Sequence, residues 1–134
     1  MSIGATLAYL DTSAYVKLIV DEPESAALQR ELGRWSAWTS SALLGLEAVR
    51  ACRRLGEDIA DSAEASLSDI ALVPMDDAVL AIARRLEPSE LRSLDAIHLA
   101  TALSIGTDLG ALFSYDERLT AAATCAGLRV LAPN

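Results

Sequence analysis

The stretch TLAYLDTSAYVKLIV, residues 6–20, decides the fold that is expected for this chain. Its first part, Thr6–Leu10, is a short apolar run typical of a buried strand. Asp11 then opens a helix-forming segment in which Thr12 and Ser13 are the next residues. A buried strand that passes directly into a helix is the repeating unit of parallel α/β sheets. The stretch therefore predicts an α/β protein.

The same alternation of short apolar runs and longer helical segments continues to the end of the chain. Further strands are predicted at residues 35–40, 71–75, 110–116 and 129–131. Further helices are predicted at residues 24–32, 41–55, 57–72, 76–86, 94–105 and 117–126. No repeat or linker interrupts the pattern in the 134 residues, so residues 1–134 are expected to form a single domain. The expected architecture is a three-layer α/β/α sandwich around a mainly parallel sheet of roughly five strands.

Composition excludes several classes of protein. The content of hydrophobic residues, 52%, is sufficient for a packed core, so a disordered chain is excluded. No apolar run approaches the roughly 18–20 residues that span a bilayer. A signal peptide has basic residues before its apolar stretch, and none precedes the first apolar stretch here. Cys52 and Cys125 lack metal-type spacing and are expected to be reduced and packed. These features predict a soluble protein of the cytoplasm with no membrane partner.

The charge balance constrains any interpretation as a nucleic-acid-binding protein. The formal net charge is −8, and Lys17 is the only lysine beside ten arginines. A protein that binds nucleic acid over a broad surface is normally basic. Binding by this chain would therefore need a local group of arginines rather than a general positive field.

Two aspartates lie at the edge of the predicted sheet where ligands usually bind. Asp11 follows the first predicted strand, and Asp116 follows the fourth. In open parallel sheets, ligands bind beyond the carboxyl ends of the strands. Aspartate is also a preferred N-cap of a helix, so capping alone could explain each of the two.

Glu47 and Asp95 extend the set of candidate acids. Asp95 opens an almost wholly apolar helix, where an ionised group is costly unless donors or a cation meet it. Glu47 lies inside a predicted helix, so capping cannot explain it, although it could be solvated or paired with Arg50 or Arg54. Four carboxylates gathered at one edge would suit a hard cation such as Mg²⁺, which prefers oxygen ligands. The single histidine, His98, is expected to have a core or structural role.

At these residues the sequence resembles the PIN-domain family, in particular the toxin ribonucleases of VapBC-type toxin–antitoxin pairs. The resemblance rests on four segments in order along the whole chain. They are YLDTSAYVKLIVDEPES (9–25), TSSALLGLEAVRACRR (39–54), LRSLDAIHLATAL (91–103) and LFSYDERLTAAATCAGLRVLAP (112–133). Each segment carries one of the four acids.

The resemblance implies a metal-dependent endoribonuclease with a PIN-like fold. Asp11, Glu47, Asp95 and Asp116 would be the catalytic acids and the ligands of one or two Mg²⁺ or Mn²⁺ ions. Hydroxyls of the family near the metal correspond to Ser13 and Ser114, although threonine is common at the second position. The implied reaction is hydrolysis of RNA phosphodiester bonds by metal-activated water, which leaves a 5′ phosphate and a 3′ hydroxyl. The expected partners are RNA, a cognate VapB-type antitoxin and a second copy of the chain in a homodimer.

Basic residues near the acids are candidates for an RNA-binding groove. Arg50 and Arg54 share a helical stripe with Glu47. The other candidates that lie close in sequence to the acids are Lys17, Arg92 and Arg118. The large side chains Trp35 and Trp38 could contribute to an interface or to the core.

Three other functions remain open at the level of sequence. A PIN-type nuclease could act on DNA, or in RNA processing outside a toxin–antitoxin pair. A non-catalytic nucleic-acid-binding module is also possible. A phosphate-transfer protein such as a phosphatase or receiver is disfavoured, because Thr12 follows Asp11 without the D-x-D spacing and because no lysine occurs late in the chain.

Overall fold

The computed structural model describes residues 7–134, which contain a sheet of five strands. The strands are β1 (Leu7–Leu10), β2 (Ala37–Ser41), β3 (Ala71–Val73), β4 (Leu109–Phe113) and β5 (Val130–Leu131). All neighbouring strands are parallel, in the order β3-β2-β1-β4-β5. The predicted parallel sheet is confirmed; Thr6, which was expected to begin β1, lies outside the described residues.

Seven α-helices connect and cover the strands within residues 7–134. They are α1 (Thr12–Ile19), α2 (Ser25–Leu32), α3 (Leu43–Arg53), α4 (Glu57–Ser66), α5 (Asp77–Ala83), α6 (Ser93–Ile105) and α7 (Glu117–Cys125). Short 3-10 helices at Leu67–Asp69 and Gly106–Asp108 precede β3 and β4. Gly106 ends α6 with a φ of 74°, a backbone conformation that favours glycine.

The sheet has a separate hydrophobic core on each face. Ala8 and Leu10 of β1 point to one face, where Phe113 and side chains of α1–α4 surround them. Tyr9 points to the other face and packs with residues of α6 and α7. This alternation follows from the period of two along a strand. The layers are therefore helix, sheet and helix, as the sequence predicted.

The order of the strands places a crevice between β1 and β4. From β1 the chain proceeds to β2 and β3 on one side, and β4 and β5 add to the other side. The chain thus reverses direction across the sheet between β1 and β4, and such a switch point opens a crevice at the carboxyl ends of the two strands. Asp11 follows β1 there, and Ser114 follows β4.

The structure corrects the position expected for one of the acids. β4 ends at Phe113, so Asp116 does not directly follow a strand. The backbone N–H groups of Tyr115 and Asp116 bond to serine hydroxyls instead of a neighbouring strand, which explains the early end. Asp95 lies in the first turn of α6 and follows an irregular segment rather than a strand.

Two predicted helices are also shorter than expected. Residues 57–72 do not form one helix, because Ala71 and Leu72 pair with β2 and the chain must leave the helix before them. The helix predicted to reach Leu86 ends at Ala83.

Several side chains outside the crevice can be assigned. Trp35 packs edge to face on Phe113, and the indole N–H of Trp38 donates to the Leu32 carbonyl, so both tryptophans pack against the core. Cys52 is buried and free as expected, whereas Cys125 is exposed, which corrects the prediction that both thiols are packed. No helix in residues 7–134 is both long enough and apolar enough to cross a membrane.

Candidate active site

Asp11 is a buried carboxylate that caps α1 and faces β4. Its Oδ1 accepts the backbone N–H of Ala14 at 2.9 Å and the hydroxyl of Ser13 at 2.7 Å. Its Oδ2 accepts the hydroxyl of Ser114 at 2.6 Å. Desolvation raises the pKa of Asp11, and these hydrogen bonds oppose that shift. Capping uses one oxygen of Asp11, and the other oxygen accepts from Ser114 at the end of β4.

Asp116 has the same division of roles at the start of α7. Its Oδ1 accepts the backbone N–H of Leu119 at 2.8 Å, so it too is a helix cap. Its backbone N–H donates to the Ser114 hydroxyl at 3.1 Å. Because Ser114 also donates to Asp11, one serine joins the two capping aspartates across the crevice.

Asp95 is linked to Asp116 by an arginine. The Nε of Arg92 lies 3.3 Å from Oδ2 of Asp95, and its Nη2 lies 3.6 Å from Oδ2 of Asp116. The Arg92 side chain is largely exposed, at 64%, while those of Asp95 and Asp116 are 15% and 30% exposed. A positive charge therefore stands between two of the predicted acids.

Glu47 lies in the middle of α3, and two side chains bind one of its oxygens. Its Oε1 accepts the hydroxyl of Thr12 at 2.6 Å and lies 2.7 Å from Nε2 of His98. Burial alone would raise the pKa of Glu47, but the hydrogen bonds from His98 and Thr12 outweigh it and leave the pKa lowered. Within residues 7–134 no ion pair joins Glu47 to Arg50 or Arg54, which excludes that structural explanation.

His98 is buried, as expected, but it also contacts the candidate site. Its Nδ1 lies 2.7 Å from the hydroxyl of Tyr9, which in turn accepts the backbone N–H of Ser41. Its other nitrogen contacts Glu47. Tyr9 and Thr12 also contact the candidate site, although the sequence pattern does not mark either as functional. Their only signal was their position on either side of the Leu10–Asp11 junction.

The predicted basic residues differ in their positions. Arg50 and Arg54 line a shallow depression with Arg53, beyond Glu47 on α3, whereas Arg92 lies among the acids themselves. The ammonium of Lys17 pairs with Glu24 at 2.8 Å and is mostly buried, so it is poorly placed to meet a phosphate. Arg118 is exposed near the start of α7.

The four acids suit a divalent cation in chemistry, although they are not arranged around one. No group of three or more His, Cys, Asp or Glu side chains within residues 7–134 is arranged to hold a metal ion. Protein donors contact three of the acids instead, with Ser13 and Ser114 on Asp11 and with Arg92 between Asp95 and Asp116. Carboxylate oxygens are the ligands that Mg²⁺ prefers. The guanidinium of Arg92 occupies a position between Asp95 and Asp116 where these carboxylates stabilise a positive charge. The donor set therefore fits Mg²⁺ once Arg92 gives way.

Comparison with known families identifies the family of this chain. The sequence profile of the PIN domain matches residues 8–124 of the chain. The chain belongs to the PIN-domain family. The resemblance seen in the four sequence segments is therefore confirmed.

Curated relatives and solved structures agree with this membership. Ribonuclease VapC46 of Mycobacterium tuberculosis is 48% identical over 126 residues, which cover 94% of this chain and 97% of the relative. The crystal structure of VapC20 from the same organism, a toxin that cleaves the sarcin–ricin loop, has a TM-score of 0.72 at 18% identity and covers 90% of this chain and 95% of its own. VapBC2 of Rickettsia felis, bound to a promoter DNA fragment, has a TM-score of 0.75 at 12% identity, with coverages of 96% and 99%. At these low identities the two structures show that the fold is shared.

Proposed function

We propose that this PIN domain is a Mg²⁺-dependent endoribonuclease and the toxin of a type II, VapBC-type toxin–antitoxin pair. The observation that carries the proposal is the crevice between β1 and β4, where hydrogen bonds and an arginine link Asp11, Asp116 and Asp95. Glu47 reaches the same region through Thr12, the residue next to Asp11. The 48% identity to a ribonuclease over almost the full chain supports RNA as the substrate. We place the activity in the cytoplasm.

The four acids share one role in this proposal, and two serines support it. Asp11, Glu47, Asp95 and Asp116 hold the cation, Mg²⁺ or Mn²⁺. When bound, the cation would lower the pKa of water near the scissile phosphate and offset the charge of the phosphoryl oxygens. Ser13 and Ser114 stabilise the ionised form of Asp11, whose desolvation otherwise favours the protonated acid. A carboxylate that stays ionised at neutral pH is the form that a cation requires.

Arginines on the rim of the crevice would position the RNA backbone. Arg92 leaves its ion pairs with Asp95 and Asp116 when the cation binds, and its guanidinium is then free to meet a phosphate. Arg50 and Arg54 of α3 and Arg118 of α7 would be further contacts of the RNA backbone. A local rim of this kind is compatible with a chain whose net charge is −8.

The activity is tested by incubating purified protein with total RNA in Mg²⁺ or in EDTA. Asp95→Asn removes one site carboxylate, and Asp108→Asn is the matched control because Asp108 directly precedes β4 at the opposite edge of the sheet. We expect cleavage by the wild type and the control in Mg²⁺, with 5′ phosphate and 3′ hydroxyl ends. Cleavage that persists in EDTA or in Asp95→Asn would contradict the proposal. Cleavage of DNA but not of RNA would favour the alternative nuclease.

A cognate VapB-type antitoxin is the proposed protein partner. Solved structures with the same fold include VapBC2 of Rickettsia felis and a toxin–antitoxin complex of Klebsiella pneumoniae. Co-expression with a small neighbouring reading frame should relieve the growth arrest that the proposed toxin causes when it is expressed alone. The two proteins should then co-purify as a complex. The free protein is expected to be a homodimer, which light scattering measures. Unrelieved growth arrest would indicate an enzyme outside a toxin–antitoxin pair.

A further inference from the structure

A buried chain of hydrogen bonds runs from the end of β2 to Glu47. It begins at the backbone N–H of Ser41, passes through the hydroxyl of Tyr9 and the imidazole of His98, and ends on Oε1 of Glu47. We propose that Tyr9 and His98 are positioning residues that orient Glu47 toward the divalent cation. This inference rests on the metal-dependent activity proposed above.

The hydrogen-bond partners assign a direction to the chain. The Tyr9 oxygen accepts the Ser41 N–H at 3.2 Å and lies 2.7 Å from Nδ1 of His98, to which its hydroxyl can donate. A neutral imidazole that accepts at Nδ1 carries its proton on Nε2. Nε2 can then donate to Glu47 at 2.7 Å. Because a carboxylate only accepts, this is the tautomer of a neutral His98 that bonds Glu47, and a hydrogen bond from the Tyr9 hydroxyl to Nδ1 stabilises it.

The rings of Tyr9 and His98 are buried on the face of the sheet that α6 and α7 cover. Tyr9 is fully buried and His98 is 2% exposed. Their rings pack edge to face with centroids 5.8 Å apart. Because Tyr9 belongs to β1 and His98 to α6, the donor that faces Glu47 is fixed by two separate elements of the fold. The fixed position of Nε2 of His98 therefore determines where the carboxylate of Glu47 lies.

Glu47 is bound asymmetrically, in the way expected of an oriented ligand. Thr12 and His98 both bind Oε1, at 2.6 and 2.7 Å. No hydrogen bond from residues 7–134 to Oε2 is present, so that oxygen is the one available to a cation. A glutamate has a long and flexible side chain, and holding one oxygen limits the positions of the other. Loss of such outer partners typically lowers metal affinity about 10–100-fold.

Three substitutions separate positioning from structural support. Tyr9→Phe removes only the hydroxyl, and His98→Leu removes both ring nitrogens. His98→Gln restores an amide N–H that can reach the position of Nε2. Tyr15→Phe is the matched control, since Tyr15 is also buried and its hydroxyl donates to the Ala63 carbonyl at 2.8 Å in the other core.

The measurement is Mn²⁺ affinity by titration calorimetry, beside urea unfolding in EDTA for each variant. We expect Tyr9→Phe and His98→Leu to bind Mn²⁺ at least about 10-fold more weakly, with His98→Gln closer to the wild type. Tyr15→Phe should lose stability yet bind Mn²⁺ normally. Saturating Mn²⁺ should restore kcat of Tyr9→Phe, with KM for RNA unchanged.

The results distinguish failure of this inference from failure of the proposed function. If the wild type binds Mn²⁺ and Asp95→Asn does not, the metal site stands. Wild-type affinity in Tyr9→Phe and His98→Leu would then overturn the positioning role alone. Equal weakening in Tyr15→Phe would also overturn it, because the effect would follow general stability. If the wild type binds no Mn²⁺, the proposed function and this inference both fail.

Discussion

The hydroxyl of Ser114 donates a hydrogen bond of 2.6 Å to Asp11, although 103 positions separate the two residues. The contact forms because β1 and β4 are parallel neighbours and both residues directly follow their strands. The same hydroxyl accepts the backbone N–H of Asp116. A single small side chain thus connects two predicted metal ligands at the switch point of the sheet.

Replacing Ser114 should shift the pH dependence of the reaction. The Ser114 hydrogen bond lowers the pKa of Asp11 against the effect of burial, so Ser114→Ala raises that pKa further. A smaller fraction of Asp11 is then ionised at a given acidic pH, and the acidic limb of the kcat/KM profile should move to higher pH. Ser114→Thr, which keeps a hydroxyl, is the control. Superimposable pH profiles for Ser114→Ala and the wild type would contradict this role.

Asp11→Asn should abolish metal binding without weakening the metal-free fold. Burial raises the pKa of Asp11 in the folded protein above its value of about 3.9 in the unfolded chain. The protonated group therefore favours the folded state below about pH 3.9, and this stabilisation is lost as the pH rises through the folded pKa. Asparagine does not ionise, so it avoids this loss of stability, and it still caps a helix. In EDTA at neutral pH, urea unfolding should therefore give a free energy equal to or above that of the wild type. The advantage should shrink toward about pH 4. A clear loss of stability at neutral pH would refute this account.

Arg92→Gln should strengthen cation binding and weaken RNA binding. Removing the guanidinium ends its competition for Asp95 and Asp116. Exposed ion pairs contribute about 0–1 kcal/mol, so Mn²⁺ affinity should rise by at most about five-fold. KM for RNA should increase because a phosphate partner is lost. Arg92→Lys keeps the charge and serves as the control, and an unchanged KM in Arg92→Gln would remove Arg92 from the RNA-binding rim.

Reversing charge on α3 should reduce RNA binding more than the same change elsewhere. Arg50→Glu with Arg54→Glu alters the rim beyond Glu47. Arg34→Glu with Arg129→Glu is the matched control, because these residues precede β2 and β5 at the edge of the sheet opposite the site. We expect RNA affinity to fall at least about 10-fold for the first pair, with a flatter salt dependence. Equal losses for both pairs would indicate only an effect of total charge.

The sequence allowed prediction of those parts of the site that depend on local pattern. Asp11 could be placed because an apolar run ends directly before it, and Asp116 because it opens a helix near the predicted end of β4. The capping interpretation of both residues was also correct. Glu47 stood out because no local role explained it.

Contacts that depend on packing could not be predicted in the same way. Tyr9 and His98 are 89 positions apart and meet only because α6 covers the face of the sheet to which Tyr9 points. A strand pattern identifies the buried face but not the helix above it. The bridge from Arg92 to two acids depends on the irregular segment before α6, for which no periodicity exists. The four acids could therefore be proposed from the sequence pattern, whereas the groups that contact them could not.

The central claim, that these four carboxylates hold a catalytic divalent cation, is tested most directly by a crystal soaked with Mn²⁺ and measured at the manganese absorption edge. We predict an anomalous peak between Asp11, Asp95 and Asp116, with Glu47 in direct contact or one water away and with Arg92 displaced. The same crystal of Asp95→Asn should lack the peak. No peak in the wild type, or a peak only at surface carboxylates such as Asp108, would contradict the account.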